Sequence, residues 1–578
     1  MEIKSITPAL SVSGQLQIQD LGVAASQGFK SIIYLRPDGE SDDQPARDDL
    51  QAAAEANGMA WAWIPVVAGK ITDDNVAEFA KQLDCLPGPV LSFCRTGTRA
   101  ATLWALGQAG VMSAQDILAA TAAGGYDLSA LAERLACDTC AQENAAPKAA
   151  GRSHDVLIVG GGAGGLACAA SLLKRQPDLN IGIVEPRSEH YYQPGWTLVG
   201  GGVFKREQTV RPMADYMPKE AHWYQTTVAT FQPDMQAVTL EDGEVIGYRA
   251  LVVAPGLQLN WDAVKGLKET LGANGVTSNY HYDMAPYTWE LVQGMRKGRA
   301  IFTQPPMPIK CAGAPQKAMY LSCDEWTRQG RLNDIDVEFC TATPGLFGVG
   351  DYVPALMEYV EKYGIDLNFQ TNLVEVDGAN KIAHFKRTDA DGNVTDIEKP
   401  FDMLHVCPPQ KSPDFIAASP LADAAGWVDI SPETMQHVRY GNVFALGDAG
   451  NSPNAKTAAA VRKQAPVVAE NVIMVLNGQA PRAVYDGYGS CPLTVERGKI
   501  VLAEFGYGGK LLPSFPAWLL DGRKATRSAW LLKEKFMPWL YFDAMIRGVE
   551  WLAAPKILPM TPVAHEAGEA LDCKRDQK

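Results

Sequence analysis

The sequence feature that most constrains the fold is a glycine-rich segment between a strand-like run and a helix-like run. Asp155–Val159 precedes Gly160, Gly162 and Gly165, and LACAASLLKR follows them. Glycines at this spacing allow a tight turn and the close approach of a pyrophosphate, whose charge the helix N-terminus stabilises. Another apolar run ends twenty residues later at Glu185, from which a carboxylate can bind ribose hydroxyls. The pattern predicts a parallel, doubly wound dinucleotide-binding domain.

Two later segments extend this pattern. Leu251–Gly256 is a strand-like run that ends in a glycine turn at Gly256, and Val443–Asp448 is a run that ends in an aspartate. Asp448 is placed to hold a ribityl chain. Lys456 opens the helix-like run KTAAAV, whose N-terminus would stabilise negative charge on a reduced flavin. In this order and spacing the segments resemble the flavoprotein disulfide reductase superfamily, which implies FAD as the cofactor.

A second dinucleotide domain is expected to begin near Arg299, but its glycine fingerprint is missing. Pro305–Pro315, a segment rich in proline that contains Cys311, stands in its place. Prolines and a cysteine cannot form the usual cradle for a pyrophosphate. We therefore do not expect NAD(P)H to be the electron donor, and a thiol occupies the vacated position.

The chain of 578 residues is too long for a single hydrophobic core. The segment AQENAAPKAAGRSH has no apolar periodicity and has the composition of a linker. We predict a small α/β domain at 1–140, a linker at 141–154, an oxidoreductase with two Rossmann-like domains at 155–480, and a C-terminal region with interfacial helices at 481–578.

Composition excludes some classes of protein. A net charge of −14 argues against nucleic acid as a general partner, because no basic surplus exists to neutralise phosphates. The 11 cysteines are scattered through the chain, which indicates free thiols in a reducing compartment. The start of the chain lacks the pattern of a secretory signal, and no apolar run reaches transmembrane length. A cytoplasmic location is expected.

From about Asp155 to Pro555 the chain resembles the eukaryotic-type sulfide:quinone oxidoreductases. The matching stretches include EPRSEHYYQP, IKCAGAPQK, KTAAAV and YDGYGSCPL. The resemblance implies an FAD enzyme that oxidises sulfide at a cysteine pair and passes two electrons through flavin to membrane quinone. The sulfur then leaves on a small-molecule thiol acceptor. In this chain the resemblance makes Cys311 the first of the two cysteines and puts Gln193 among the cofactor-binding residues.

The chain departs from the family at the second redox cysteine. In family members this cysteine directly follows the Gly-Asp pair, where this chain has Ala449. Three explanations stay open. In the first, another thiol replaces the second redox cysteine, with Cys407 the first candidate and Cys340 the second. In the second, the flavin takes electrons directly from a Cys311 persulfide. In the third, the substrate of this chain is not sulfide.

The N-terminal region carries a separate thiol loop. Cys94 follows a strand-like run, and CRTGTR ends at Arg99 before an alanine-rich helix. Successive backbone N–H groups in such a loop can bind a phosphate or stabilise a cysteine persulfide. Through Gly28–Glu40 and this loop, residues 1 to about 110 resemble a dual-specificity-phosphatase-like family associated with sulfur transfer.

Two features favour sulfur transfer over phosphatase activity. The loop has one residue fewer than the Cys-x5-Arg loop of phosphatases and matches the shorter rhodanese type. No aspartate lies between Ala52 and Ile71, roughly where that fold carries its general acid. Phosphatase activity with Asp38 as the acid, and an inactive remnant, remain alternatives.

Cys137 and Cys140 have the spacing of a redox pair or of half a zinc site. No second pair or nearby histidine set completes four ligands, so no metal site is expected. The pair could resolve sulfur carried on Cys94, or it could be incidental.

The C-terminal part, residues 530–551, combines aromatic, methionine and basic residues. An apolar stripe at helical spacing, interrupted by Pro538, comprises Phe542, Met545, Val549 and Leu552. The stripe suits a helix pair in the bilayer interface near a quinone entrance. Packing against the flavin domain or a dimer interface is the alternative. The family resemblance favours membrane contact, and we expect it to be peripheral, on the cytoplasmic face of the inner membrane.

Together these patterns predict an α/β protein with two Rossmann-like domains preceded by a small phosphatase-like domain. The expected function is FAD-dependent oxidation of sulfide or a related reduced sulfur species, with electrons to quinone and persulfide handling at the N-terminus. A flavoprotein that reduces or senses persulfides is one alternative. The other is a phosphatase-like domain fused to a non-catalytic FAD-binding sensor.

Overall fold

The computed structural model describes residues 3–7, 9–41, 44–67, 71–109, 114–135 and 151–559. These residues fall into two compact units, one on each side of residues 136–150. Cys137, Cys140 and most of the predicted linker lie outside the described residues. The position of the linker therefore stays a prediction.

The N-terminal unit is a five-stranded sheet with helices. Its strands are β1 (Ile3–Ser5), β2 (Leu10–Ser13), β3 (Ser31–Tyr34), β4 (Ala60–Trp63) and β5 (Val90–Phe93). Its helices are α1 (Ile18–Ser26), α2 (Arg47–Ala56), α3 (Asp73–Cys85), α4 (Thr98–Gly107), α5 (Ala114–Ala123) and α6 (Ala132–Leu135). The strand order is β1-β2-β5-β3-β4, parallel except for β1. The central strands β3 and β5 are buried along their whole length, as expected for parallel strands covered on both faces.

The second unit begins with a seven-stranded sheet. Its strands are β6 (Arg152–Val159), β7 (Ile181–Val184), β10 (His222–Tyr224), β11 (Val228–Gln232), β12 (Ala237–Leu240), β13 (Val245–Val253) and β24 (Val443–Ala445), with the short pair β8 (Glu189–Tyr191) and β9 (Val210–Pro212) outside it. The order is β10-β7-β6-β13-β12-β11, with β24 also paired to β13. The predicted parallel core is confirmed, because β10, β7, β6, β13 and β24 run parallel.

A second parallel sheet forms the other Rossmann-like domain. Its strands are β15 (Val276–Thr277), β16 (Gly298–Gln304), β17 (Ile335–Thr341), β18 (Asp366–Asn368) and β22 (Met403–His405), in the order β15-β22-β16-β17-β18. The remaining strands are β14 (Gln258–Leu259), β19 (Thr371–Asp377), β20 (Ile382–Thr388), β21 (Val394–Pro400), β23 (Gln410–Lys411), β25 (Ala483–Val484), β26 (Gly489–Glu496), β27 (Lys499–Phe505), β28 (Ala525–Thr526) and β29 (Lys556–Ile557). β26 and β27 form an antiparallel hairpin whose side chains pack in the core of this second sheet. Cys491, on β26, lies in that core.

The helices of the second unit connect and cover the two parallel sheets. They are α7 (Ala163–Arg175), α8 (Trp196–Gly200), α9 (Leu267–Thr270), α10 (Met284–Gly294), α11 (Ala314–Arg328), α12 (Val353–Tyr363), α13 (Asp414–Ala417), α14 (Ala458–Leu476), α15 (Arg527–Leu531) and α16 (Met537–Trp539). Helix α7 follows β6 and α11 follows β16, so both begin at the carboxyl ends of parallel strands. Ligands of open α/β sheets bind at these ends.

The C-terminal segment, residues 530–552, consists of short helical turns. A π-helical turn at Leu532–Phe536 joins α15 to α16, and a π-helical turn at Leu540–Ala544 and a 3-10 turn at Met545–Arg547 follow α16. Phe542 and Met545 are buried in the core of the first sheet, whereas Val549 and Leu552 are exposed. The stripe is therefore split between core and surface, because Gly548 in the left-handed region turns the chain between the two pairs.

Ion pairs attach the C-terminal segment to α7. The carboxylate of Glu550 accepts hydrogen bonds from the Arg175 guanidinium and from the hydroxyl of Ser171. Arg175 also donates to Glu470 of α14 at 2.7 Å. The helix that follows the glycine loop is thus linked directly to the segment predicted to meet the membrane.

Candidate functional site

The glycine loop between β6 and α7 leaves no room for side chains at two positions. Gly160 has φ of +101°, and a Cβ there would lie 2.5 Å from the carbonyl oxygen of Ala254. A Cβ at Gly165 would lie 1.8 Å from the carbonyl oxygen of Gly160. Around Gly162 a Cβ would meet nothing within 4 Å. The loop therefore packs tightly against the sheet on one side and faces open space at the start of α7.

That open space is a cavity of about 1460 Å³ at the carboxyl ends of the first sheet. Of the residues predicted to bind the cofactor, seven line it, namely Gly160, Gly162, Glu185, Gln193, Gly256, Asp448 and Lys456. Gly165 serves the packing of α7 against β6, as its contact with Gly160 shows. The structure thus brings together residues separated by nearly 300 positions in the sequence.

Glu185 lies at the end of β7, beside the glycine loop. Its carboxylate accepts hydrogen bonds from the backbone N–H of Gly161 at 2.8 Å and of Arg187 at 2.9 Å. These bonds hold the side chain at the cavity wall. A carboxylate held in this way is oriented before any ligand arrives.

Lys456 lies in front of α14, which begins after the N-cap Thr457. Its ammonium donates to the carbonyl oxygens of Asp448 and Gly450, both at 2.8 Å, and lies 4.1 Å from the centre of the Trp427 ring. Burial lowers the pKa of Lys456 to about 8. The lysine fixes the Gly-Asp turn and brings positive charge to the cavity.

Five residues of the cavity wall carry buried polar atoms with no hydrogen-bond partner in the described part of the chain. They are the indole nitrogen of Trp196, the hydroxyls of Thr197, Thr227 and Ser490, and both amide atoms of Asn279. An unsatisfied buried polar group costs roughly 1–3 kcal/mol. These donors and acceptors therefore favour a polar ligand in the cavity.

Cys311 lies in the same cavity, on the loop between β16 and α11. Its φ of +53° is in the left-handed region, and its N–H donates to the carbonyl of Lys456 at 3.0 Å. The hydroxyl of Tyr280 donates to the carbonyls of Lys310 and Cys311, at 3.0 and 3.3 Å. Lys310 itself donates to Gln193. The thiol loop is thus anchored to both Rossmann-like domains.

Two groups favour the thiolate form of Cys311. Its Sγ lies 3.7 Å from the Sγ of Cys491 and 3.1 Å from the Nζ of Lys317. The hydrogen bond with the Cys491 thiol and the Lys317 ammonium hold the pKa of Cys311 well below its usual value, against the opposing effect of burial. The same contact and burial raise the pKa of Cys491. Cys311 is therefore the member of the pair whose thiolate form the surroundings favour.

The cysteines considered as partners of Cys311 differ in their surroundings. Cys407 is buried near the thiol loop, and its sulfur contacts the carbonyl of Pro408 and the amide of Gln410, each at 3.9 Å. Burial raises the pKa of Cys407 to about 12. Cys340 belongs to a different core cluster. Cys491, which sequence reasoning did not single out, is the cysteine whose sulfur contacts Cys311.

The wall beyond the thiols is apolar and comes mostly from the C-terminal segment, with Phe515 added from outside it. Phe515, Leu532, Phe536, Met537 and Leu540 line this part of the cavity. One lysine, Lys533, is buried among them, and burial together with the Lys317 ammonium lowers its pKa to about 7. Neither Lys317 nor Lys533 carries a sequence signal of its own, although Lys317 ends the quoted IKCAGAPQK stretch.

In the N-terminal unit, Cys94 lies at the end of β5 and is buried. The N–H of Gly97 donates to its Sγ at 3.2 Å. Arg99, in the first turn of α4, donates to the carbonyl of Val66 at 2.8 Å and pairs with Glu40 at 2.6 Å. The loop therefore presents backbone N–H to the sulfur, while Arg99 is engaged by a carboxylate.

Glu40 joins two arginines. It also pairs with Arg36 at 2.6 Å, and Arg36 is buried. Burial raises the pKa of Glu40, but hydrogen bonds from Arg99 and Arg36 outweigh it and leave the pKa lowered. Asp38, the alternative general acid, is exposed and lies 3.8 Å from Arg47. The acidic side chain beside the loop is thus an ionised, paired carboxylate.

Comparisons with known proteins agree with this division. Residues 2–111 match the phosphatase-like domain of beta-lactamase hydrolase-like proteins, and residues 154–284 match the pyridine nucleotide-disulphide oxidoreductase family. The mitochondrial sulfide:quinone oxidoreductase of Dictyostelium discoideum is 43% identical over 68% of this chain and 86% of its own length. The chain belongs to the sulfide:quinone oxidoreductase family. The mouse member is 40% identical over 68% of this chain and 87% of its own.

A solved family structure shows the same fold at lower identity. The sulfide:quinone oxidoreductase of Aquifex aeolicus superposes with a TM-score of 0.57 at 20% identity, over 68% of this chain and 92% of its own. Within the described residues no helix combines the length and apolarity needed to cross a membrane. The same residues contain no group of three or more His, Cys, Asp or Glu side chains that could hold a metal ion.

The cofactor of this sulfide:quinone oxidoreductase family member is FAD. The site fits it, because the cavity joins a glycine loop, an oriented carboxylate and unsatisfied polar atoms of Trp196, Thr197 and Asn279. The predicted FAD-binding oxidoreductase is thus confirmed. The roles of individual residues remain proposals.

Proposed function

We propose that the chain oxidises sulfide at Cys311, with FAD and then quinone as electron acceptors, and that Cys94 carries the resulting sulfane sulfur. The observation that carries this proposal is the Cys311 thiol, which lines the cofactor cavity 3.1 Å from the Lys317 ammonium. FAD, when bound, supplies a two-electron acceptor. Overall, HS⁻ and a thiol become a persulfide, with one sulfur–sulfur bond formed and one proton and two electrons released.

The residues around Cys311 favour sulfur chemistry over other uses of a thiol. Lys317 keeps the sulfur anionic and would stabilise a persulfide anion in the same place. Lys533, whose pKa of about 7 leaves it partly protonated near neutral pH, adds positive charge that attracts HS⁻ into an apolar part of the cavity. Thus the chain provides an anion site and a reactive sulfur together.

The proposed cofactor contacts follow from the cavity wall. The glycine loop and the start of α7 would receive the pyrophosphate, and Glu185 would bind ribose hydroxyls. Asp448 would hold the ribityl chain, while Gln193 and Lys456 would contact the flavin end. The start of α14 would stabilise negative charge there.

Quinone is proposed to enter along the apolar wall formed by the C-terminal segment. Exposed tryptophans at 539 and 551 lie on the same segment, and aromatic side chains of this kind favour the membrane interface. We infer peripheral contact with the cytoplasmic face of the inner membrane. A small-molecule thiol is the proposed acceptor of sulfur from Cys311.

For the N-terminal unit we propose sulfur transfer rather than phosphate hydrolysis. Arg99 is already paired with Glu40, whose ionised carboxylate would repel a phosphate dianion beside the loop. A persulfide on Cys94 needs only the backbone N–H donors of the loop. The arrangement therefore favours a sulfane sulfur cargo.

The test follows the flavin absorbance band under anaerobic conditions while sulfide and then a soluble quinone are added. Wild type should bleach rapidly and recover with quinone, whereas Cys311→Ser should stay oxidised. Cys323→Ser, which changes a buried thiol of α11 in the second sheet's core, is the matched control and should behave like wild type. Absence of bleaching in FAD-loaded wild type would refute sulfide as the donor, and persulfides would then be tested.

A further inference from the structure

We infer that Cys491 is the second redox cysteine of this chain and forms a reversible disulfide with Cys311. This inference rests on the proposed function. The two sulfur atoms lie 3.7 Å apart, although the residues are separated by 180 positions. Cys311 comes from the loop before α11 and Cys491 from the hairpin strand β26, so two independent elements bring the thiols together.

The surroundings make room for this pair. A side chain at Gly313 would place a Cβ 2.6 Å from the Cys491 sulfur, so glycine at this position clears space beside the thiol. The Nζ of Lys317 donates to the Cys311 sulfur at 3.1 Å. Burial lowers the pKa of Lys317, but its charge interactions with Cys311 and Cys491 outweigh this and raise the pKa. A cation shared by two thiols stabilises whichever sulfur is ionised when the bond between them is open.

The alternatives are less well placed. Ala449 offers no sulfur and is fully buried. Cys407 directs its sulfur towards Pro408 and Gln410, and burial keeps it protonated. A chain without a cysteine at residue 449 can therefore still hold a two-sulfur centre, with its second anchor on β26.

The reaction can then proceed with balanced atoms and electrons. HS⁻ attacks Cys311, which lines the cavity, the Cys311–Cys491 bond breaks, and Cys491 leaves as a thiolate beside Lys317. An acceptor thiolate takes the outer sulfur from the Cys311 persulfide and leaves the Cys311 thiolate. The two thiolates re-form the disulfide and release two electrons to the flavin and quinone of the proposed function.

The test is a cysteine map of the FAD-loaded protein. After free thiols are alkylated in denaturant without reductant, trypsin cleaves at Lys and Arg. The peptides 311–317, 483–497 and 388–411 then each contain one cysteine, at 311, 491 and 407 respectively. We expect 311–317 cross-linked to 483–497, directly or through one extra sulfur. The link should be lost in Cys491→Ser and kept in Cys407→Ser.

The outcomes separate this inference from the proposed function. A link between 311–317 and 388–411, or free Cys311 in oxidised wild type, would overturn the pair even if sulfide bleaches the flavin. If the 311–491 link is found but sulfide does not bleach the flavin, the pair is supported and sulfide is refuted as the substrate. Because the map is made on wild type, it does not depend on the variants folding.

Discussion

The Nζ of Lys317 lies 3.1 Å from the Sγ of Cys311. Lys317 lies in the first turn of α11, which follows the thiol loop. Lys317→Met removes the charge and keeps a side chain of similar length. The pKa of Cys311 should rise, and alkylation of the reduced protein by iodoacetamide at neutral pH should slow about tenfold or more. The rates of variant and wild type should converge at high pH, where both thiols are ionised.

The control for this experiment is Lys386→Met, on the exposed hairpin strand β20. Its alkylation profile should match that of wild type. If Lys317→Met also left the profile unchanged, the thiolate would owe its stability to other groups.

Gly160→Ala should abolish cofactor loading. The new Cβ would lie 2.5 Å from the Ala254 carbonyl, at a φ of +101° that costs a residue other than glycine about 1–2 kcal/mol. We expect the ratio of flavin to protein after purification to fall about tenfold. Gly294→Ala, in open space at the end of α10, should retain full flavin content. Equal loading of both variants would contradict the role of the loop.

Loss of the Glu40 charge should loosen the Cys94 loop at neutral pH. Because the pKa of Glu40 is lowered in the folded state, its contribution to stability is present above the ordinary glutamate pKa and is lost as pH falls through the lowered value. In Glu40→Gln, hydrogen–deuterium exchange of the loop amides should be faster than in wild type at pH 7. The difference should disappear in acid.

Glu55→Gln, an exposed change on α2, supplies the comparison for Glu40. It should exchange like wild type at every pH. A Glu40→Gln effect that persists unchanged in acid would show that the side chain acts through its shape, not its charge.

Cys94 should acquire a persulfide when the protein is treated with thiosulfate or polysulfide. Mass spectrometry of the alkylated loop peptide should show one extra sulfur atom, which Cys94→Ser removes. Hydrolysis of an aryl phosphate should stay at background, because Arg99 is engaged by Glu40. Phosphate release that depends on Cys94 would instead establish the phosphatase alternative.

Membrane contact should depend on the two tryptophans of the C-terminal segment. Trp539 and Trp551 are 50% and 51% exposed, so the double change to Glu should fold normally. Co-sedimentation with anionic liposomes should fall several-fold, because each carboxylate must leave water to enter the interface. Val394→Glu, at a residue 57% exposed on β21, should bind liposomes like wild type.

The local patterns of the sequence were sufficient for the two Rossmann-like sheets. A strand, a glycine loop and a helix specify one another over some twenty residues, so Asp155–Glu185 folds as predicted. The same holds for Cys94 between β5 and α4. Such motifs are short-range, and their geometry needs no knowledge of distant contacts.

The thiol pair could not be predicted in this way. Cys311 and Cys491 meet because the β26–β27 hairpin packs onto α11, a contact that no local periodicity encodes. One signal was present, since YDGYGSCPL was among the matching stretches and contains Cys491. The interfacial helix pair predicted near the C-terminus stays a prediction, although Phe542 and Met545 of its apolar stripe are buried while Val549 and Leu552 are exposed.

Lys533 and Trp539 are six residues apart on the C-terminal segment, one facing the thiols and the other facing outward. Because the turns between them are short, a displacement of Trp539 that moves its backbone would also move Lys533. Detergent or lipid that repositions this segment would therefore change the local charge at the sulfur. Attachment to a bilayer would then change the reactivity of the Cys311 thiol, and this change would need no rearrangement elsewhere in the protein.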